Sequence, residues 1–101
     1  MKYEVFVSKK AKELLLLHVK FLSQVSVPAA KILRKEFSSV VEKLSSNPYQ
    51  FQEEIDLNLP KGKYRRAVFL KRYKVVFFVS GNEVHIDAII DCRQSVDTIQ
   101  I

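Results

Sequence analysis

A chain of 101 residues, 48% hydrophobic, has the size and apolar content of a single domain that buries its core without disulfides or metals. Seventeen Lys and Arg against eleven Asp and Glu give a formal net charge of +6, which favours polyanionic or acidic partners and does not choose among them. The lone cysteine, Cys92, excludes an intrachain disulfide and a cysteine-based zinc cluster, so a reducing cytoplasm is the expected compartment. Met1 to Phe6 is too short and polar for a signal peptide, and the apolar run Leu14 to Leu17 is far below a membrane span, so no membrane association is expected.

Tyr3 to Val7 reads as a strand with Tyr3, Val5 and Val7 on one side, and Ser8 stands where a helix N-cap belongs. From Ala11 to about Gln24, the residues Ala11, Leu14, Leu15, Leu17, Phe21 and Leu22 form an apolar side wide enough to pack on both a sheet and another helix. His18 falls in that stripe and is expected as a half-buried core residue, since no second His or Cys lies at metal-ligand spacing. Neither a metal site nor a cofactor is expected.

Pro28 is placed for the first turn of a second helix, whose apolar stripe is Ala30, Leu33, Phe37, Val40, Val41 and Leu44. Its other side carries Lys31, Arg34 and Lys35, an ordinary solvated face. Ser45-Ser46-Asn47-Pro48 ends that helix, and the stretch to Gly62 has no periodicity and reads as an ordered surface loop.

Three strands come next, in Lys63–Leu70, Arg72–Val79 and Glu83–Asp91, with Gly81-Asn82 as a tight turn. Treating Lys71-Arg72 as a second two-residue turn puts Val68, Leu70, Tyr73, Val75, Phe77, Val79, Val84, Ile86, Ala88 and Ile90 on the core face. The opposite face then collects Arg65, Lys74, His85 and Asp87, with Arg93 in phase, beside Phe69, Val76, Phe78 and Ile89. A mixed cationic and apolar surface of this kind suits a partner. A one-residue slip would exchange the faces and bury Lys74. Arg65 or Arg66 is expected to pair with Asp87 or Asp91. Cys92 reads as a small apolar filler whose thiol a neighbouring cation would acidify.

In order along the chain, Tyr3-Glu4-Val5-Phe6-Val7-Ser8, Leu44-Ser45-Ser46-Asn47-Pro48, Tyr64-Arg65-Arg66, Tyr73-Lys74-Val75-Val76-Phe77-Phe78-Val79 and Ile89-Ile90-Asp91-Cys92-Arg93-Gln94 resemble the RelE/ParE superfamily of toxins from type II toxin–antitoxin systems. The resemblance spans nearly all of residues 1–101 as one domain. It implies an α+β fold, a two-helix hairpin packed on a four-stranded, mainly antiparallel sheet in the order β-α-α-β-β-β. It also implies growth inhibition, and a cognate antitoxin whose extended and helical segment wraps over the toxin. The first strand's free edge and the helix–sheet groove are the places for that segment.

One branch of the family cuts mRNA on the ribosome and the other inhibits DNA gyrase. For the nuclease, the resemblance places phosphate-holding cations at Arg65, Lys74 and Arg93, with His85 as an added titratable group beside Asp87. Ala67 stands where such a nuclease has a lysine, and no tyrosine follows Tyr73. The incomplete set and the Tyr64-Arg65-Arg66 run lean toward the gyrase branch, with Arg65, Arg66, Lys74, Asp87 and Arg93 as target-binding residues. An inert protein that only binds an antitoxin is the third reading.

Overall fold

The computed structural model describes residues 2–93. Strand β1 (Glu4–Val7) leads into helix α1 (Lys9–Val25), then helix α2 (Val27–Ser46) and a short 3-10 turn at Pro48–Gln50. Strands β2 (Tyr64–Phe69), β3 (Tyr73–Ser80) and β4 (Glu83–Asp91) complete a four-stranded sheet in the order β1-β4-β3-β2, with β1 parallel to β4 and the other pairs antiparallel. This is the fold class read from the sequence.

The helices form where the local signals place them. Ser8 Oγ accepts the Ala11 N–H at 3.0 Å and caps α1. Ser26 alone joins the hairpin: its N–H donates to Leu22 O at 2.7 Å, ending α1, and its Oγ accepts the Ala29 N–H at 3.3 Å, starting α2. With no linker beyond that residue, the helices must lie antiparallel, and Pro28 sits where a missing N–H costs nothing. Ala30, Leu33, Phe37, Val40 and Leu44 of α2 and Ala11 and Leu22 of α1 are buried against the sheet's inner face. Leu17 and Phe21, expected in the same packing, are instead 61% and 56% exposed.

The register of the meander corrects the two-turn reading. Phe69 opposes Tyr73, so the turn holds three residues, Leu70 to Arg72, and every β2 residue is shifted by one against β3. Leu70 and Lys71 both take φ of 55°, a left-handed turn closed by Arg72 N–H to Phe69 O at 3.2 Å, with Arg72 as the extra residue. Without a glycine there, the sequence carries no mark of this turn. The left-handed conformation costs on the order of 1 kcal/mol at each site, and the parity it sets buries Ala67 and Phe69 while leaving Val68 and Leu70 exposed.

At the other turn the expectation holds: Gly81 has φ of +61°, Ser80 opposes Glu83 and Phe78 opposes His85. Beyond it, Val76 pairs with Ala88 but Phe77 with Ile86, leaving Asp87 as a bulge in β4. The bulge turns Ile89 into the helix-side core and moves Ala88 and Ile90 to the outer face. The inner face is therefore Ala67, Phe69, Tyr73, Val75, Phe77, Val84, Ile86 and Ile89. Val76, Ala88 and Ile90 form a second apolar cluster outside, covered by Leu57 and Leu59 of the 51–62 loop and by Leu14.

Candidate functional site

The corrected register separates the residues that the sequence reading gathers on one face. Arg65 opposes the buried Phe77 and so belongs to the helix side, where its guanidinium lies 5.1 Å from the Tyr49 ring centre and donates to Phe51 O at 2.6 Å. Lys74, His85 and Asp87 are on the outer face, joined there by Arg66. Arg93 lies beside α1 on the helix side, lining a cavity with Leu14, Leu17, His18, Phe21, Arg72, Tyr73 and Asp91. Gln94, the last residue of the final motif, lies outside the described residues.

Lys74 is not an open cation. The 51–62 loop crosses the outer face, fixed to the β2 edge by Glu54 N–H to Tyr64 O and Arg66 N–H to Gln52 O, both 2.9 Å. That brings the Glu54 carboxylate over β3, with Lys74 Nζ 2.7 Å from Glu54 Oε1 and 3.6 Å from Asp56 Oδ2. Glu54 Oε2 accepts the backbone N–H groups of Asp56 at 2.6 Å and Leu57 at 3.0 Å. Both Lys74 and Glu54 are 5% exposed, a buried ion pair in which the backbone donors hold only the Oε2 side of the carboxylate. Arg66 Nη1 is likewise held by Asp56 Oδ2, at 2.8 Å.

The partners expected for the arginines are thus replaced. Asp87, expected opposite Arg65 or Arg66, accepts the Tyr64 hydroxyl at 2.8 Å. Desolvation pushes the Tyr64 phenol up, and the hydrogen bond to Asp87 adds to the rise. His85 Nε2 lies 3.0 Å from Glu83 Oε1, and its ring is stacked between Phe6 and Phe78 at centroid distances of 5.2 and 4.9 Å. His85 and Asp87 share no hydrogen bond, because the bulge engages Asp87 with β2.

Asp91 gathers the remaining cations. Its Oδ2 accepts from Arg72 Nε at 3.2 Å and Nη2 at 3.1 Å, and its Oδ1 accepts the Arg93 backbone N–H at 3.0 Å and Nε at 3.3 Å. Desolvation acts to raise the Asp91 carboxyl, but the hydrogen bonds from Arg93 and Arg72 outweigh it and hold the pKa below its ordinary value. A depressed folded-state pKa stabilises the fold above the unfolded-state value, near ~3.9 for Asp, and this contribution is lost as pH falls through the folded-state pKa. The stability advantage of the native protein over an Asp91→Asn variant should therefore be constant above about pH 5 and shrink in more acid solution. Urea midpoints from pH 7 to 2.5 measure this directly.

These arginines rim the cavity of about 390 Å³ between α1 and the sheet end. Leu17 and Phe21 form its exposed apolar wall, Leu14 and Tyr73 its deeper lining. His18 is half-buried there, as the sequence suggests, with Nε2 donating to Ile89 O at 2.8 Å and its ring against Tyr73. This is an apolar groove with a net positive rim, fit for an apolar anchor flanked by acidic groups.

Cys92 departs from both expectations. The residue is exposed, so it fills no core. Desolvation of its thiol pushes the pKa up; Asp91 and Glu54 add to the rise, and the pull of Lys74 does not overcome it. Among the described residues no cluster of three or more His, Cys, Asp or Glu side chains could hold a metal ion, and no helix is long and apolar enough to cross a membrane.

Sequence reasoning missed Glu54, Asp56 and Arg72. The two acids lie in an aperiodic loop, and Arg72 falls in the assumed turn, so periodicity carries no information about any of them.

No protein-family model matches the chain, and no curated protein matches it in sequence. Among solved structures, a chain of the chromosomal ParDE TA system from P. aeruginosa is similar over 89% of this chain and 96% of that one, with a TM-score of 0.60 and 17% identity. At that identity the likeness is one of fold.

Proposed function

We propose that this protein is the toxin of a type II toxin–antitoxin pair and that it acts as a ParE-like inhibitor of DNA gyrase through protein contact. The toxin reading is supported by the resemblance of the ordered motifs and by the shared fold with the ParDE TA chain. Because one fold hosts unrelated activities, the choice of target rests on the site.

The observation that carries that choice is the burial of Lys74 against Glu54. A phosphodiester-cleaving site needs cations open to a phosphate and to the developing charge of the transition state. Here Lys74 is neutralised under the loop and Arg66 is engaged by Asp56. Arg65 and Arg93 lie on the sheet's other side from Lys74, and His85 is wedged between two phenylalanines. Together with the missing lysine and tyrosine, this arrangement disfavours RNA cleavage and favours recognition by a protein surface. The groove of Leu17, Phe21, Arg72 and Arg93 is assigned to the antitoxin, with an amphipathic helix carrying acidic flanks as its occupant. Of the residues expected to contact the target, Arg65, Arg66, Lys74, Asp87 and Arg93, it is Arg93, 63% exposed in its side chain, that keeps a guanidinium available to a partner.

Induction of the chain alone in a bacterial host tests the reading. The expected result is growth arrest with DNA damage while early translation continues. Rapid loss of translation with codon-phased mRNA cuts would replace it with the nuclease, and unimpeded growth would leave an inert antitoxin-binding protein.

A further inference from the structure

Among the described residues, strand β1 is an open edge whose geometry is complementary to itself. Glu4 N–H donates to Asn82 O at 2.9 Å and Ser8 N–H to Ile86 O at 3.0 Å, so the even-numbered residues of β1 bond to β4. By alternation, the N–H and C=O groups of Val5 and Val7 point away from the sheet. The opposite edge is different: residues 52–54 bond to β2 at Tyr64 and Arg66 and close most of it.

The outer face of this open edge ends in an unfinished aromatic row. Tyr64, Phe78, His85 and Phe6 lie side by side across β2, β3, β4 and β1, with neighbouring centroids 5.6, 4.9 and 5.2 Å apart. Those distances match the spacing of the strands, about 4.8 Å. Phe6 has His85 on one face, is 40% exposed, and terminates the row.

We propose that a second copy of this chain pairs with β1, antiparallel and about a two-fold axis at Phe6, joining two four-stranded sheets into one. In that register Val5 exchanges hydrogen bonds with Val7 of the second copy, and Val7 with Val5. Phe6 faces its symmetry mate in a non-hydrogen-bonded pair, where side chains approach most closely. The row of planar side chains then runs unbroken through both molecules.

Charge fits the same axis. Glu4 falls opposite Ser8 of the other copy, at the start of α1, whose first turn holds Lys9 and Lys10 and no acidic residue. A carboxylate is favoured at that place by both the lysines and the helix dipole. Pairing stops where it should, because Tyr3 N–H is already bound to Ser45 O at 2.7 Å. An overlap this short buries less than a standard interface of about 1,600 Å², so the dimer is weak and concentration-dependent.

Sedimentation equilibrium of the full chain from 10 μM to 1 mM, with amide hydrogen exchange at both ends of that range, tests the proposal. The average mass should climb from 11.7 kDa toward twice that value, and the Val5 and Val7 amides, fast-exchanging when dilute, should slow with concentration. Phe6→Ala should weaken the dimer about ten-fold. Val5→Pro removes an outward N–H, a change that edge strands accept, and should abolish pairing. A monomer at 1 mM overturns the proposal. So does a dimer that both variants form as well as the native chain, or one in which the Val5 and Val7 amides keep exchanging fast, since another face would then be responsible. If Val5→Pro does not fold, the Phe6→Ala series and the exchange rates decide alone.

Discussion

Replacing Glu54 by alanine lowers the unfolding free energy by about 3–5 kcal/mol, because it takes the close counter-ion from a buried Lys74 and leaves only the exposed Asp56 carboxylate, 3.6 Å away. Lys74 is 5% exposed with its Nζ 2.7 Å from Glu54, so in the native fold the carboxylate rather than bulk solvent balances its charge. The same substitution frees the backbone N–H groups of Asp56 and Leu57, which Glu54 Oε2 holds at 2.6 and 3.0 Å. Lys74→Met is expected to cost less than Glu54→Ala, since Glu54 would keep those two donors. The double variant Glu54→Gln with Lys74→Met retains one acceptor for them and removes both charges. It should recover much of the loss. Urea unfolding of the native protein, Glu54→Gln, Lys74→Met and the double variant closes the cycle and gives the coupling energy, and strict additivity would mean that the pair is not coupled as the geometry requires.

Phe21→Asp should weaken antitoxin binding by about 100-fold or more while leaving the fold intact. The second half rests on exposure: Phe21 and Leu17 are more than half accessible, so neither supports the core. The first rests on the chemistry of the groove under the toxin reading. An apolar anchor at the centre of an interface typically contributes about 2 kcal/mol or more, and an added carboxylate repels the acidic flanks expected to sit by Arg72 and Arg93. Leu17→Asp should act in the same direction, and Lys31→Asp, on the solvated side of α2, should have little effect. Calorimetry of each variant with the cognate antitoxin measures the loss, and thermal unfolding of the free variants checks the fold. Undiminished binding by both groove variants would move the antitoxin to another surface.

Local chemistry accounts for the legible part of this protein. Ser8 and Pro28 mark helix starts through groups that are visible in the sequence, and the stripe Ala30–Leu33–Phe37–Val40–Leu44 declares its buried face by spacing alone. Gly81 declares its turn in the same way. Two single-residue irregularities with large consequences leave no such mark. The left-handed pair Leu70-Lys71 contains no residue that favours positive φ, and the bulge at Asp87 depends on how β4 meets β3, a tertiary matter. Each shifts parity by one, and a parity error exchanges faces.

That is why Arg65 lies on the helix side and Ile89 in the core, while Lys74 and His85 stay outside. The covering of Lys74 is illegible for another reason. It depends on a loop without periodicity folding back over the sheet, and a single glutamate in such a loop looks like any other surface acid. The groove beside α1 is half legible: spacing finds its apolar residues, but a stripe cannot say which of its members lack a partner.

The decisive measurement is supercoiling of relaxed plasmid by purified DNA gyrase in the presence of the purified protein, with translated mRNA monitored in a parallel reaction. A gyrase-directed toxin with its sheet cations neutralised inhibits supercoiling in proportion to its concentration, is relieved by antitoxin, and leaves the mRNA whole. Unchanged supercoiling together with cleavage of ribosome-bound mRNA, abolished by Lys74→Ala, would contradict it and make the buried ion pair part of a catalytic site.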